Sequence, residues 1–167
     1  QSSYFHTKIK EVCDRYDNTY YPKFKKWADD YFFIPHRNET RGIGGIFYDH
    51  LTEDESHSKN DIFNFSIHIG EAFSEIYSQL IAENKGKSFT PVEKEWQLLR
   101  RGRYVEFNLV YDRGTKFGLY SNGRTESILM SLPKHASWYY AHEVKKGSRE
   151  RETLDLLKKE VDWISLR

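Results

Sequence analysis

The segment from Gln97 to Thr115 constrains the fold of this chain most, because its centre reads as an extended strand. Val105, Phe107 and Leu109 alternate with the residues at 104, 106 and 108, and this period of two is typical of a β-strand. The dipeptide of Asn122 and Gly123 is typical of a hairpin turn. It would join two further strands, at residues 116–120 and 125–132. This half of the chain therefore predicts antiparallel hairpins.

Helical spacing and capping residues dominate elsewhere in the chain. Thr90 and Glu93 form a capping box, with proline at the first helical position. The same signals predict helices that begin near Ser2, Pro22, Asp61 and Ser148. Short strands are expected at residues 31–34 and 46–48. Separate helices combined with antiparallel hairpins indicate an α+β fold, which we expect to form a single domain over residues 1–167.

Charge and composition exclude several classes of function. The 26 basic and 25 acidic residues leave a net charge of +1. Such balance argues against a general role at nucleic acids or membrane surfaces. We expect no integral membrane segment, because no apolar run approaches spanning length. The first residues do not resemble a signal peptide, so we expect a cytoplasmic protein. A single cysteine, Cys13, excludes an internal disulfide and a cysteine-only metal site.

Arginine is concentrated in two segments, residues 36–49 and residues 97–115. Lysine would supply surface charge equally well, whereas a guanidinium group offers paired donors that fit a carboxylate. Glycines and aromatic residues accompany the arginines in both segments. The pattern therefore suggests a site that binds planar anions.

Several stretches with these arginines resemble the oxygen-dependent coproporphyrinogen III oxidase family. In family order, the matching stretches are Tyr21–Trp27, Asp29–Arg37, Arg41–Phe47, Glu95–Thr115 and Gly123–Pro133. The resemblance covers the C-terminal portion of the family. The upstream portion, with a histidine that the family uses as a proton donor, is absent. We therefore expect this chain alone to be an incomplete enzyme.

The resemblance implies a fold, an assembly and an activity. The family fold is a large flat antiparallel sheet flanked by helices. Its members are homodimers, and the region matching Tyr104–Tyr139 is associated with dimerisation. They convert two propionates of coproporphyrinogen III into vinyl groups with molecular oxygen as co-substrate, giving protoporphyrinogen IX in haem synthesis. No flavin or nicotinamide motif is visible, which agrees with a reaction that needs no organic cofactor.

The resemblance also assigns roles to individual residues. Asp112 and Arg113 are candidate catalytic residues, with Asp112 accepting a pyrrole N–H, removing its proton, or orienting Arg113. Without the resemblance, Asp112 would be an ordinary turn aspartate. The candidate substrate-binding residues are Arg37, Arg41, Asn122, Gly123 and Arg124. Surface solvation or ion pairing is the plain alternative for each of these arginines.

His6 and His36 match two histidines that serve as metal ligands in bacterial-type members. Eukaryotic members are regarded as working without metal. The thirty-residue spacing gives no independent metal signal. We therefore expect structural roles, or a propionate contact from His36, more than a divalent metal site.

Two other classes of function remain open on the sequence. A non-catalytic tetrapyrrole-binding or carrier protein would keep the arginines and aromatic residues without turnover. A binder of single-stranded RNA would use arginines beside stacked tyrosines and phenylalanines. The balanced net charge and the lack of a recognised RNA-binding module weigh against the second alternative.

Overall fold

A computed structural model of the chain describes residues 1–166. Over this range the regular structure is mostly helical. The helices are α1 (Ser2–Cys13), α2 (Tyr20–Tyr31), α3 (Lys59–Asn84), α4 (Pro91–Val110), α5 (Arg113–Tyr120), α6 (Thr125–Leu129) and α7 (Arg149–Leu156). The strands β1 (Phe33–Ile34) and β2 (Glu39–Thr40) flank a 3-10 turn at Pro35–Arg37. No described helix is long and apolar enough to cross a membrane.

The chain divides into two compact units. The first contains Gln1–Tyr31, Ile43–Lys87 and the segment from Lys159 onward, and the second contains Phe32–Gly42 and Ser88–Lys158. Each unit draws on separated parts of the sequence. The prediction of a single domain remains a prediction.

An aromatic core holds the first unit together. Helix α1 packs against α2 and α3, and the rings of Tyr20, Phe24 and Phe65 lie within contact distance of one another. Buried aromatic rings remove a large apolar area from water, so this cluster stabilises the unit. Cys13 is fully buried beside it, and burial raises the pKa of its thiol to about 12.

The second unit is organised around α4 and the small sheet. The strands are antiparallel, with Phe33 paired to Thr40 and Ile34 to Glu39. The backbone N–H of Thr40 donates to the carbonyl of Leu157, which joins the sheet to the end of α7. Helix α4 begins at the predicted capping box, since the Thr90 side chain accepts from the Glu93 N–H and Glu93 reaches back to Thr90.

The strand predicted across residues 104–111 is wrong, because that stretch is the last part of α4. Leu99, Arg103 and Phe107 are buried at intervals of four residues, which is helical spacing. Six of the eight residues from 104 to 111 are aromatic or aliphatic, so an apparent period of two arose within a helix that is apolar on several faces. The capping box at Thr90 and Glu93, which begins this helix, was the stronger signal.

The hairpin predicted around Asn122 is also wrong. Residues 116–120 belong to α5, and the predicted strand at 125–132 begins with α6. Asn122 adopts a positive φ of 57°, as residues of tight hairpin turns do. It does so where α5 ends, and the N–H of Gly123 donates to the carbonyl of Gly118 at 2.9 Å. A left-handed residue followed by this hydrogen bond is a common way for a helix to end. The Asn-Gly pair therefore terminates a helix here and does not form a hairpin turn.

The predicted large flat sheet is absent from the described residues, where the β1–β2 pair is the whole sheet. The strand expected at residues 46–48 does not form either. A small sheet combined with helices agrees with the predicted α+β class but not with the predicted size of the sheet.

Candidate active site

A group of ion pairs, most of them partly buried, joins the 3-10 turn and β2 to α4 in the second unit. We call Arg37, Glu39, Arg100, Arg103 and Glu106 the Glu106 cluster. Arg37 Nε donates to Glu106 Oε2 at 2.9 Å, and Arg37 Nη2 donates to Glu106 Oε1 at 2.6 Å. Arg103 Nη1 donates to the same carboxylate at 3.2 Å, and Arg100 Nη1 donates to Glu39 at 2.7 Å. The 3-10 turn and β2 supply Arg37 and Glu39, and α4 supplies the other three.

The cluster carries more positive than negative charge, because three guanidinium groups face two carboxylates. Burial would raise the pKa of Glu106, but the Arg37 hydrogen bonds and the charge of Arg103 outweigh burial and lower it to about 2. The bonds to Glu106 raise the pKa of Arg37, whereas burial lowers that of Arg103. Glu106 is therefore an anion at any physiological pH.

Two buried donors in the cluster have no hydrogen-bond acceptor among the described residues, namely Arg100 Nη2 and Arg103 Nε. Arg103 Nε still lies 3.3 Å from Glu39 Oε1, so charge attraction remains. Buried donors without acceptors are costly. The geometry of the cluster thus leaves two guanidinium donors without an acceptor among the described residues.

His36 extends the cluster toward the end of α4. Its Nε2 lies 3.1 Å from Glu106 Oε2, and its Nδ1 lies 2.7 Å from the Tyr111 hydroxyl. The His36 ring also stacks on the Tyr111 ring, with centroids 5.6 Å apart. Tyr111 directly precedes Asp112, so the backbone links this stacked pair to the turn that carries Asp112 and Arg113.

The guanidinium group of Arg41 lies among aromatic rings. Its central carbon is 4.2 Å from the ring centroid of Phe32, 4.8 Å from that of Tyr104 and 5.0 Å from that of Phe107. Cation–π attraction to these rings helps to hold the guanidinium group in place. Its positive charge therefore lies in partly apolar surroundings, where charge attraction is stronger than in water.

Asp112 is the N-cap of α5. Its carboxylate accepts from the Thr115 N–H at 2.7 Å and from the Thr115 hydroxyl at 2.8 Å. Arg113 follows as the first residue of α5 and is exposed. The plain structural alternative for Asp112 is thus realised as a helix cap, while its catalytic role remains a prediction.

The other predicted contacts surround the junction of α5 and α6. Asn122 and Gly123 end α5, and Arg124 is the N-cap residue of α6 with an exposed side chain. A side chain at position 123 would approach the Gly118 carbonyl to 2.8 Å, so the turn requires glycine there. Contact of these residues with a ligand remains a prediction.

His6 belongs to the first unit and is fully buried. Its Nε2 lies 2.9 Å from the Ile43 carbonyl, which can only accept, so Nε2 carries the hydrogen. Its Nδ1 then accepts from the Tyr21 hydroxyl at 3.0 Å, and Trp163 stacks on the ring. Burial is the main cause of a lowered His6 pKa. This geometry suits a neutral structural histidine.

Residues 1–166 contain no group of three or more histidine, cysteine, aspartate or glutamate side chains placed to hold a metal ion. His36 is bonded at both ring nitrogens, as is His6. The metal roles of the two histidines remain untested.

Glu106 is the functional candidate that the sequence reasoning missed. It stands between Val105 and Phe107 in an otherwise apolar stretch. A carboxylate in such a position needs a cationic partner when the stretch is buried. That requirement, together with the neighbouring arginines, was the signal available.

Comparison with known proteins identifies the class. The model of the coproporphyrinogen III oxidase family matches residues 1–163. This match covers nearly the whole chain, from α1 to the segment after α7. The chain therefore belongs to the coproporphyrinogen III oxidase family.

Individual relatives agree with the family match. The oxygen-dependent coproporphyrinogen-III oxidase of Drosophila melanogaster is 54% identical over 164 residues, which are 98% of this chain and 41% of that protein. The mitochondrial enzyme of Homo sapiens is 54% identical over 162 residues, covering 96% of this chain and 35% of that protein. A Francisella tularensis enzyme is 47% identical over 161 residues, covering 96% and 51%. The chain thus spans between a third and about half of the length of these curated relatives.

Proposed function

We propose that the natural protein containing this chain catalyses the oxygen-dependent oxidative decarboxylation of coproporphyrinogen III to protoporphyrinogen IX. The observation that carries the proposal is the family match over residues 1–163. The names of the relatives specify both oxygen dependence and the porphyrinogen substrate. Because the chain covers only part of those proteins, the activity belongs to the longer protein.

The substrate class agrees with the chemistry of the second unit. Coproporphyrinogen III is a flexible macrocycle with four propionate side chains, and guanidinium groups bind carboxylates through paired hydrogen bonds. Arg37, Arg41, Arg113 and Arg124 are the proposed propionate ligands, and the turn at Asn122 and Gly123 offers backbone N–H groups. The aromatic surroundings of Arg41 support this reading, since they keep its charge partly out of water.

The reaction needs only the substrate, oxygen and a proton. Each propionate loses its carboxylate as carbon dioxide. The side-chain carbon next to the ring loses a hydride equivalent, which is a hydrogen together with two electrons. The electrons of the broken C–C bond form the vinyl double bond. Oxygen takes up the two electrons, that hydrogen and one proton, giving hydrogen peroxide. The protein's task is then to orient each propionate and exclude water.

Asp112 would assist this oxidation at a pyrrole N–H. It would accept that hydrogen bond or remove the proton, so that the ring donates electrons more readily. Arg113, next in the chain, would hold a propionate of the same ring. No organic cofactor enters the proposal, and a divalent metal at His6 or His36 is not part of it.

Assembly and location complete the proposal. We propose a homodimer whose interface lies mainly within Tyr104–Tyr139. Exposed apolar side chains of α5, α6 and the following segment support it, among them Phe117, Tyr120, Met130 and Trp138. That the rest of the protein lies upstream, and that the protein is cytoplasmic, stay predictions. Human and barley relatives are named as mitochondrial and chloroplastic.

One assay tests the function. The intact natural protein is incubated with coproporphyrinogen III in air, and carbon dioxide and protoporphyrin are measured. Formation of both, with no product under nitrogen, is expected. Tight binding of the porphyrinogen without carbon dioxide release would instead indicate the carrier alternative.

A further inference from the structure

Among the described residues, the guanidinium group of Arg37 forms hydrogen bonds along one edge. Its Nε and one Nη2 hydrogen bond to Glu106, and these use two of its five N–H donors. The remaining edge, formed by Nη1 and the second Nη2 hydrogen, has the fork geometry that fits a second carboxylate. The Arg37 side chain is 38% exposed. One edge is thus anchored within the protein while part of the group remains accessible.

Glu106 is itself held firmly. Beyond Arg37, its Oε1 accepts from the indole N–H of Trp138 at 2.9 Å and from Arg103, and its Oε2 faces His36. Its side chain is only 12% exposed. Partners on both oxygens restrict rotation of the Glu106 carboxylate. Because Glu106 lies on α4, its two bonds to Arg37 hold the guanidinium group in a fixed position relative to that helix.

We propose that Glu106 is a positioning residue that fixes Arg37 by its inner edge, so that the outer edge receives a propionate carboxylate. The inference rests on the proposed function for the identity of the carboxylate. It assigns Glu106 no contact with the substrate. Its effect on binding passes through the orientation of Arg37.

The sign of the mutational effect separates this role from simple electrostatics. Removing the negative charge of Glu106 leaves the cluster more positive, which by itself attracts an anionic ligand more strongly. Loss of the fixed fork acts in the opposite direction, because Arg37 must then be ordered during binding. Weaker binding after loss of a negative charge is therefore the signature of positioning.

The chain offers a matched control in Glu39. This second carboxylate of the cluster pairs with Arg100 and Arg103, the two arginines that α4 contributes to the cluster. Glu39→Gln removes the same charge from the same cluster and leaves both bonds between Arg37 and Glu106. Electrostatics alone predicts similar effects of the two substitutions, whereas positioning predicts opposite ones.

The test measures binding of coproporphyrin III, a stable oxidised tetracarboxylate, to the intact natural protein by fluorescence. Its tetramethyl ester serves as the ligand without carboxylates. We expect Glu106→Gln to weaken coproporphyrin III binding about fivefold or more, and Glu39→Gln to tighten it. The effect of Glu106→Gln should vanish in an Arg37→Lys background, because the lysine has no fork to position.

A second variant guards against a folding defect. Glu106→Asp keeps the charge but withdraws the carboxylate by one methylene, so it should also weaken binding while thermal unfolding confirms a folded protein. Binding as tight as wild type in folded Glu106→Gln or Glu106→Asp would overturn the proposal, as would an undiminished effect in the Arg37→Lys background. Wild-type protein that binds coproporphyrin III but releases no carbon dioxide from coproporphyrinogen III in air would contradict the enzyme function alone. Equal binding of the tetramethyl ester would contradict the carboxylate site.

Discussion

The Asp112 carboxylate accepts two hydrogen bonds from Thr115, one from its backbone N–H at 2.7 Å and one from its hydroxyl at 2.8 Å. The same side chain is the candidate proton acceptor of the proposed reaction. A capping role that the structure shows and a chemical role that we propose therefore fall on one residue. Substitutions that differ in capping ability can separate them.

Asp112→Asn should lower kcat more than it changes KM, with little change in the free energy of unfolding. Asparagine caps a helix as well as aspartate but cannot take a proton. Asp112→Ala should in addition lose about 1 kcal/mol of stability. Steady-state kinetics and urea unfolding of both variants provide the measurements. Wild-type turnover by folded Asp112→Asn would leave the residue with its capping role only.

Arg113→Lys should reduce kcat/KM at least about tenfold, which corresponds to roughly 1.4 kcal/mol of transition-state stabilisation. Lysine keeps the charge and loses the planar fork. Arg149→Lys is the control, because Arg149 has a side chain that is 86% exposed and pairs with Glu93 at the surface. Equal kinetics of the two variants would place Arg113 outside the site.

Acidification should destabilise the first unit through His6. Burial lowers its pKa in the folded protein, so the unfolded chain binds the proton more readily. Stability is therefore present above the unfolded value near 6.5 and is lost as pH falls toward the lower folded value. Free energies of unfolding between pH 8 and 5 should fall less steeply for His6→Gln than for wild type. Parallel profiles would show that His6 titrates equally in both states.

Dimerisation through Tyr104–Tyr139 predicts opposite results for two exposed phenylalanines. Phe117 on α5 is 73% exposed, and Phe63 on α3 is 61% exposed. Phe117→Asp should convert the intact protein to a monomer at micromolar concentration, because a buried unpaired charge opposes association. Phe63→Asp should leave the dimer intact. Sedimentation velocity distinguishes the species, and a monomeric wild type would end the proposal.

Two helical glycines should respond with opposite signs to the same substitution. A Cβ at Gly102 would lie 2.6 Å from the Ser137 carbonyl oxygen, whereas a Cβ at Gly70 would meet nothing within 4 Å. Gly102→Ala should therefore cost about 1–3 kcal/mol through overpacking. Gly70→Ala should stabilise α3 by about 0.5–1 kcal/mol, because alanine favours the helix. Thermal or urea unfolding measures the stability of both variants. A change of the same sign in the two would contradict the prediction.

Local capping chemistry made much of the helical structure predictable. The box of Thr90 and Glu93 forms as expected, and Ser148 caps α7. At α3 the cap was placed three residues late, since Ser58 is the N-cap and Asp61 completes its box. These signals succeed because each depends on bonds within four residues.

The C-terminal half was less predictable because its apolar residues fit two periods. Residues distant in sequence bury Arg103 and Phe107, which lie four positions apart. This burial favours a helix over a strand at residues 104–111. The turn at Asn122 was recognised for its backbone angle, but that angle closes a helix as readily as a hairpin. The sequence predicts Arg37 as a carboxylate ligand, yet its internal partner Glu106 lies 69 residues away and no local pattern pairs them.

The burial of Cys13 has a practical consequence for spectroscopy on this chain. Burial raises the thiol pKa to about 12, so the reactive thiolate form is scarce at neutral pH. The sequence contains no other cysteine. A cysteine introduced at an exposed position would therefore react with a maleimide dye or spin label much faster than Cys13. Distances within either unit could then be followed in solution without first removing the native thiol.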